Sequence, residues 1–451
     1  MLSLLLAIKY LLRTKIVVLS ILAVGLSCAL LICISSLFAG FISALEDAAS
    51  DNLGDVLIQA YPGSHILYSE ELTEKLAALD EVVAASPVVS TQGLLLLGKG
   101  NVKKVTVWGI DSAAQSRVTN VKSSLIKQSK TDGEPFFTAA GDDKTISGYV
   151  GIGVLATPDP MTDIYDMAEV ESYLGTKAVL MTGVMDEKSA AASAAGIRRV
   201  NVPFNICDVA FSGVDQFDSE SIYLPIKELG ERLYPSLSGS GIIADSIQIR
   251  LREGSDPQAA LENIRACWRQ FAWQKLGWSD SLISFTAVRL TSDITADMIV
   301  EYRKQMDILM LIFGLVSSGV IFLVCCIFYM IVLTRQKDIA IMRSCGAGRL
   351  GISAIFIQFG LVVGILGGLL GLWAGRLFTV NINIIENWIS TVLGLNIWRS
   401  SVYMFNRIPN QVDWPAAVNI VLISIAAALI GSIIPALIAA AIKPVKILRY
   451  E

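Results

Sequence analysis

The stretch TRQKDIAIMRSCGA, residues 334–347, is short, basic and amphipathic, and it joins two long apolar runs. Residues 308–333 precede it and residues 351–372 follow it. Each run is long enough to cross a hydrocarbon core of about 30 Å at roughly 1.5 Å per helical residue. The pattern predicts a short helix outside the membrane that connects two membrane helices and couples them to a partner.

Composition indicates a membrane protein with a large domain outside the bilayer. Of the 451 residues, 53% are hydrophobic and 17% are charged, and the charge is concentrated in one central block. The first apolar span lacks the small-residue cleavage pattern of a removed signal peptide and is expected to stay as an anchor. We therefore predict an α-helical membrane protein with a large α+β extracytoplasmic domain at 46–296. The four transmembrane spans of the chain are expected at 16–45, 308–333, 351–372 (the helix extending to 380) and 416–442.

Lysine and arginine collect before the first span, in the connection at 334–350 and after the fourth span. By the positive-inside rule, these segments and both termini face the cytoplasm, whereas the loop at 381–415 and the central domain are extracytoplasmic. The central domain holds most of the acidic residues behind the sequence pI of about 5.3. This balance argues against a nucleic-acid partner.

Residues 1–15 place Lys9 and Arg13 on one helical face and apolar residues on the other. This predicts an amphipathic helix at the cytoplasmic interface. The alternative is that the first span simply starts early.

The four apolar cores contain no Asp, Glu, Lys, Arg or His. Ion-coupled transporters place ionisable groups on their membrane pathway, so proton or sodium coupling is not expected. The third span carries glycines at a spacing that lets helix backbones approach closely. They form two neighbouring stripes, Gly360, Gly364 and Gly368, and Gly367, Gly371 and Gly375.

The central domain begins and ends with similar strand and helix signals. The first set is a strand at 55–60, a helix at 69–79 and strands at 82–97 and 103–109. The second set is a strand at 245–251, a helix from Pro257 to about 270 and a strand at 282–285.

These two βαβ-like units are expected to bracket an inserted lobe at 111–220. Within the lobe, residues 130–144 are predicted to form an exposed loop.

A helical pattern at 291–307 continues without a breaker into the second span. It predicts a stalk continuous with the membrane helix over 297–333. A separate helix on the membrane surface is the alternative.

Four segments carry a resemblance to a known family. They are KDIAIMRSCGA from Lys337, FDSESIYLPIKEL from Phe217, IPNQVDW from Ile408 and PVKILRYE from Pro444. Together with the order of one span, an external domain and three spans, they resemble the MacB-like ABC transporter permeases with an FtsX-like domain. Within that family the resemblance is closest to the LolC and LolE lipoprotein-releasing permeases.

The resemblance implies a non-enzymatic permease subunit of the inner membrane. Two permease copies, identical or paralogous, would sit over cytoplasmic ATPase subunits, and ATP hydrolysis would be transmitted mechanically to porter-like periplasmic domains. The chain has no G-x-x-x-x-G-K-[ST] phosphate loop, so the partner subunit would bind ATP and Mg. A periplasmic lipoprotein carrier or adaptor and membrane lipid are the other implied partners.

The resemblance also implies two groups of functional residues. An acyl-chain cleft would lie between the first two spans, although ordinary packing or lipid contact also explains such apolar residues. The cleft residues are Ile34, Leu37, Phe38, Phe41, Met310 and Phe313. The coupling helix at 334–350 would dock on the ATPase, for which the candidate residues are Arg335, Lys337, Asp338, Ile339, Ile341, Met342 and Arg343.

No catalytic or metal site is expected. The single histidine, His65, follows a Pro-Gly turn and is predicted to be a surface loop residue. Of the seven cysteines only Cys207 and Cys267 lie in the central domain, and the sequence leaves their pairing open.

Two other functions remain open at this point. One is MacB-like export of peptides or antibiotics. The other is FtsX-like control of a cell-wall hydrolase without transport, against which the size of the central domain argues.

Overall fold

The computed structural model describes residues 15–442, except 62, 99, 138–145, 160–162, 186–196, 394–397, 400–403 and 406. The chain divides into two compact units. The membrane unit comprises Met1–Ala44, Ile299–Trp388 and Ile408–Glu451, and the sheet unit comprises Leu45–Met298 and Ile389–Arg407. The predicted helix at 1–15 (apart from Lys15), the tail at 443–451 and residues 138–144 of the predicted loop lie outside the described residues.

The helices, in chain order, are α1 (Lys15–Leu53), α2 (Ser69–Ala77), α3 (Ser112–Val118), α4 (Val121–Ser124), α5 (Ile152–Leu155), α6 (Met167–Ser172), α7 (Asp215–Glu220), α8 (Ile226–Leu233), α9 (Pro257–Gln274), α10 (Asp280–Phe285), α11 (Thr291–Thr334), α12 (Gln336–Ser344), α13 (Arg349–Val380), α14 (Ile382–Leu393) and α15 (Trp414–Ala441). The strands are β1 (Val56–Gln59), β2 (Val82–Leu96), β3 (Val102–Ile110), β4 (Ser147–Gly151), β5 (Lys177–Met185), β6 (Ile197–Ala210), β7 (Ser221–Pro225), β8 (Ser246–Leu251) and β9 (Ala287–Leu290).

Four helices in the described part of the chain are long and apolar enough to cross a membrane, which confirms the predicted number of spans. The candidate spans are Val17–Leu53, Ile299–Thr334, Arg349–Val380 and Trp414–Ala441. Helix α11 is continuous from Thr291 to Thr334. The segment at 381–415, predicted only as a loop, contains helix α14.

Helix α13 is packed at backbone distance on two sides through its two glycine stripes. A Cβ added at Gly360 would meet Ser432 of α15. A Cβ added at Gly371 would lie 2.6 Å from the Cys28 Cβ and 2.7 Å from the Gly25 carbonyl oxygen of α1. The two glycine stripes therefore pack α13 against α15 and α1 of the same chain.

The sheet unit is built on one nine-stranded sheet in the order β3-β7-β4-β6-β5-β2-β8-β1-β9. The long strand β2 pairs with β8 through its first half and with β3 and β5 through its second half. Strand β1 is antiparallel to both β8 and β9. The first and last strands of the unit therefore lie side by side.

The apolar core of the sheet unit has two main parts. One part packs α2 and α9 on β1, β8 and β9, around Leu72, Ile249 and Trp268. The other joins β4, β5, β6 and β7 with residues of β2 and β3 such as Leu95 and Val107. The strands of the predicted lobe at 111–220 thus belong to the common sheet and share a core with strands outside it.

One predicted strand is wrong. Residues 282–285 belong to helix α10, and the strand at this point is β9, which begins at Ala287. Short apolar runs fit either period, and β9 is defined by its pairing with β1, far away in sequence.

Candidate coupling helix and membrane cleft

Helix α12 is separated from α11 by a local break. The Thr334 hydroxyl donates to the carbonyl oxygens of Met330 and Ile331 at 3.0 Å, and Arg335 leaves the helical conformation. At the other end Gly346 adopts a φ of 96°, a conformation that L side chains rarely take. A short helix therefore stands between two membrane helices.

One face of α12 is buried in the membrane unit. Ile339 is 1% exposed and Ala340 is fully buried. Ile339 belongs to a cluster that includes Ile331 and Phe356, and Met342 is partly buried against it. A small cavity of about 30 Å³ remains among these side chains. Burial of this face fixes α12 to the ends of the membrane helices.

Charged side chains make two further contacts at α12. Arg335, at the position just before the helix, pairs with Asp338 of its first turn at 3.3 Å. The Arg343 guanidinium donates to the carbonyl oxygens of Ala440 and Ile442 at the C-terminal end of α15. A cation at this position is favourable because the last carbonyls of a helix have no partner within it. The charge of Arg343 therefore serves an internal contact.

The other face of α12 is open. Lys337 is exposed and Ile341 is 52% exposed, and the first residues of α13 after the turn, Arg349 and Leu350, are also exposed, Leu350 by 86%. The predicted coupling residues thus divide into an inward set and an outward set. Ile339 is buried and is not part of an exposed surface. The sequence analysis did not select Leu350, although an apolar residue next to Arg349 in this connection could have indicated a contact surface.

The predicted cleft residues lie on α1 and α11 within the membrane unit. Phe41 of α1 packs edge-on against Tyr302 of α11, with ring centroids 5.1 Å apart. Met310 packs against a cluster that contains Cys28 and Ile32 of α1. The structure therefore brings α1 and α11 together at this level. The other predicted cleft residues are all partly exposed: Ile34, Leu37, Phe38 and Phe313.

Helix α11 is unevenly covered along its length. Near α12, Val324, Phe328 and Val332 are fully buried. Farther from α12, Leu311 and Leu315 are each 71% exposed. Apart from contacts such as that of Met310, the segment of α11 at 308–323 is therefore mostly uncovered by the described chain.

His65 differs from its prediction. Its Nδ1 lies 2.6 Å from Oδ1 of Asp245, and its side chain is 17% exposed, so it is a partly buried contact residue of the sheet unit. Its ring also packs on Tyr234, with centroids 4.0 Å apart. Asp245 lies 180 residues away, which no local pattern reveals.

Neither sheet-unit cysteine forms a disulfide in the described structure. Cys207 and Cys267 are both free. Burial raises the pKa of the Cys207 thiol to about 12, which keeps it protonated and unreactive at neutral pH. Among the described residues no group of three or more His, Cys, Asp or Glu is placed to hold a metal ion.

Two family models match the chain. The MacB-like periplasmic core domain matches residues 17–141, and the FtsX-like permease C-terminal domain matches residues 308–444. The second match contains α12, α13, α14, α15 and residues 308–334 of α11.

Curated relatives with related sequences include two lipoprotein-releasing proteins. The lipoprotein-releasing system transmembrane protein LolC of Xylella fastidiosa (strain Temecula1 / ATCC 700964) is 34% identical over 139 residues, which is 31% of this chain and 32% of the relative. The corresponding protein LolE of Haemophilus influenzae is 33% identical over 119 residues, 26% of this chain and 29% of the relative. The aligned part thus spans about a third of the length of these relatives.

A solved structure, the periplasmic region of MacB from Actinobacillus actinomycetemcomitans, aligns with 57% of this chain and 97% of that chain. The TM-score is 0.28 and the sequence identity is 12%. The chain therefore combines a region that matches the MacB-like periplasmic core domain with a region that matches the FtsX-like permease C-terminal domain.

Proposed function

We propose that this chain is the permease subunit of an inner-membrane ABC transporter that releases lipoproteins. A separate ATPase subunit would hydrolyse ATP on the cytoplasmic side, and the permease would transmit the resulting movement to a periplasmic sheet unit. The relatives named for lipoprotein release support this choice of cargo over peptide export or hydrolase control.

The observation that carries the proposal is the two-sided character of α12. Its inward face, with Ile339, is fixed in the core of the membrane unit, and Arg343 joins it to the end of α15. Its outward face presents Lys337 and Ile341. A helix held in this way passes a push on its outer face to the membrane helices because close-packed interiors deform little.

The outward face offers a docking surface of suitable chemistry. Half-exposed Ile341 and the nearly fully exposed Leu350 can be buried by a partner, and Lys337 and Arg349 are exposed charged residues of the same segment. Burying one such aliphatic side chain contributes about 1.5–3 kcal/mol, which is roughly a tenfold to hundredfold gain in affinity. Positive charge also favours the cytoplasmic side for this connection.

The experiment replaces Ile341 with Asp in the purified permease and ATPase complex. We expect Ile341→Asp to leave the permease folded and to abolish cargo-stimulated ATP hydrolysis, because a carboxylate replaces the apolar contact. Ile164→Asp is the matched control, since Ile164 is a similarly exposed isoleucine of the sheet unit. Undiminished stimulated hydrolysis in Ile341→Asp would contradict the coupling role.

A second arm of the experiment identifies the cargo. A photo-crosslinking amino acid at Phe38 should capture a lipoprotein in cells if acyl chains enter between α1 and α11. In a separate variant without the crosslinker, Phe38→Asp should weaken cargo binding because a carboxylate beside acyl chains must be desolvated or protonated. Crosslinks to peptides without a lipid anchor would favour export, and a cell-wall hydrolase bound to the sheet unit would favour regulation.

A further inference from the structure

A polar junction connects the end of α1 to the sheet. The Asp55 carboxylate accepts hydrogen bonds from Ser50 Oγ at 2.6 Å and Arg250 Nη1 at 3.2 Å. Its second oxygen accepts from the backbone N–H of Leu251 at 2.8 Å. Asp55 therefore joins the last turn of α1 to strand β8.

The start of α11 is joined to the same point. The Thr291 hydroxyl donates to the Gly54 carbonyl oxygen at 2.6 Å, and the Thr291 N–H donates to the Asp55 carbonyl oxygen at 2.9 Å. Thr291 is only 2% exposed. Gly54 has a φ of 76°, and a Cβ there would lie 2.9 Å from the Ile249 carbonyl oxygen, so the close approach requires glycine. The end of α1 and the start of α11 are thus one hydrogen-bonded structure.

Arg250 extends this junction to α3. Its Nε donates to the Val118 carbonyl oxygen at 2.8 Å, while its Nη2 lies 3.9 Å from Asp51. The Arg250 and Asp55 side chains are 25% and 26% exposed. The Arg250–Asp55 ion pair is therefore shielded from water over most of its surface. Such charge-assisted hydrogen bonds fix orientation more strictly than apolar contacts do.

We propose that Asp55 and Arg250 are positioning residues that make the adjoining ends of α1 and α11 move as one body with the sheet. The inference rests on the proposed function, in which movement of these helices must reach the sheet unit. If the junction were flexible at this point, movement of α1 and α11 would not be passed on to the sheet. Both helices are continuous with spanning segments, and both meet the sheet at Asp55 and its neighbours.

The test measures the distance between the two helix ends in the full-length permease in lipid nanodiscs. Nitroxide labels at Asp47 on α1 and Asp293 on α11 are suitable because both side chains are exposed. Pulsed electron paramagnetic resonance should give one narrow distance distribution. Asp55→Asn should broaden it, because the amide cannot replace the ion pair with Arg250.

Two further variants complete the design. Asp51→Asn is the control, because its contact with Arg250 is the longer one, at 3.9 Å, and the distribution should stay narrow. Arg250→Lys keeps the charge but loses the bond to Val118, and it carries the test if Asp55→Asn does not fold. The proposal is overturned if Asp55→Asn and Arg250→Lys, or whichever of the two folds, give a distance distribution as narrow as that of the unchanged protein.

Coupled assays separate positioning from mere stability. In the complex with its ATPase, Asp55→Asn should retain basal ATP hydrolysis while cargo release falls about tenfold or more, as expected for loss of a charge-assisted hydrogen bond. A parallel fall of both activities with the folded fraction would overturn the positioning role. If the unchanged complex shows no coupled release, the proposed function fails, and the label distances still decide whether the junction is rigid.

Discussion

Helices α13 and α11 are both apolar enough to span a membrane, but they are covered very differently. Of the most apolar stretch of each helix, 44% is buried in α13 and 6% in α11. Helix α13 has a glycine stripe against each neighbour, whereas α11 is anchored mainly by its end next to α12. Helix α13 is therefore a fixed centre of the membrane unit, whereas the 308–323 half of α11 is mostly uncovered by the described chain.

Two phenylalanines on α11 should differ most in their effect on stability. Phe328 is fully buried and packs on Phe359 with ring centroids 5.1 Å apart, whereas Phe322 is 73% exposed. We expect Phe328→Ala to lower the free energy of unfolding by about 3–5 kcal/mol and Phe322→Ala by less than about 0.5 kcal/mol. Thermal unfolding of the purified chain in detergent measures both. Equal losses would remove the distinction between the two halves of α11.

Two glycines should show a more modest contrast. Gly371→Ala places a methyl group against the Gly25 backbone, so α1 and α13 must separate, at a cost of about 1–3 kcal/mol. A Cβ at Gly319 of α11 meets nothing within 4 Å, and Gly319→Ala should stabilise the helix by about 0.5–1 kcal/mol. The same unfolding assay applies, and a stabilising Gly371→Ala would show that α13 is not closely enclosed.

A third contrast concerns assembly and leaves the stability of the single chain unchanged. If a second permease copy packs on the uncovered half of α11, Gly319→Leu should weaken pairing about tenfold by overpacking that contact. The stability of the single chain should not fall, because its own atoms leave the space open. Crosslinking in membranes at several expression levels measures the ratio of paired to single chains for each variant. Unchanged pairing would assign this half of α11 to lipid or cargo.

Local patterns were sufficient for much of the fold. The first strand and helix signals of the central domain correspond to β1, α2, β2 and β3, and the four membrane helices follow from their apolar runs. Each of these depends on periodicity and length within one segment. The strand predicted at 282–285 failed because β9 is selected by pairing with β1.

The candidate site was only partly readable for the same reason. An amphipathic pattern predicted α12, but it did not reveal that Ile339 faces the core and Ile341 faces outward. That division depends on contacts with Ile331 and Phe356 on other helices. The partner of His65 was likewise hidden by its distance in sequence.

The position of β1 in the sheet has a consequence for biosynthesis. Asp55, next to β1, and Arg250, on β8, are separated by 195 residues. At about 5–20 residues per second, β1 would wait roughly 10–40 s for β8 to be made, and longer for β9. During that interval its unpaired backbone groups could template wrong strand pairing. Newly made chains should therefore depend on a holding chaperone until the last strand has emerged.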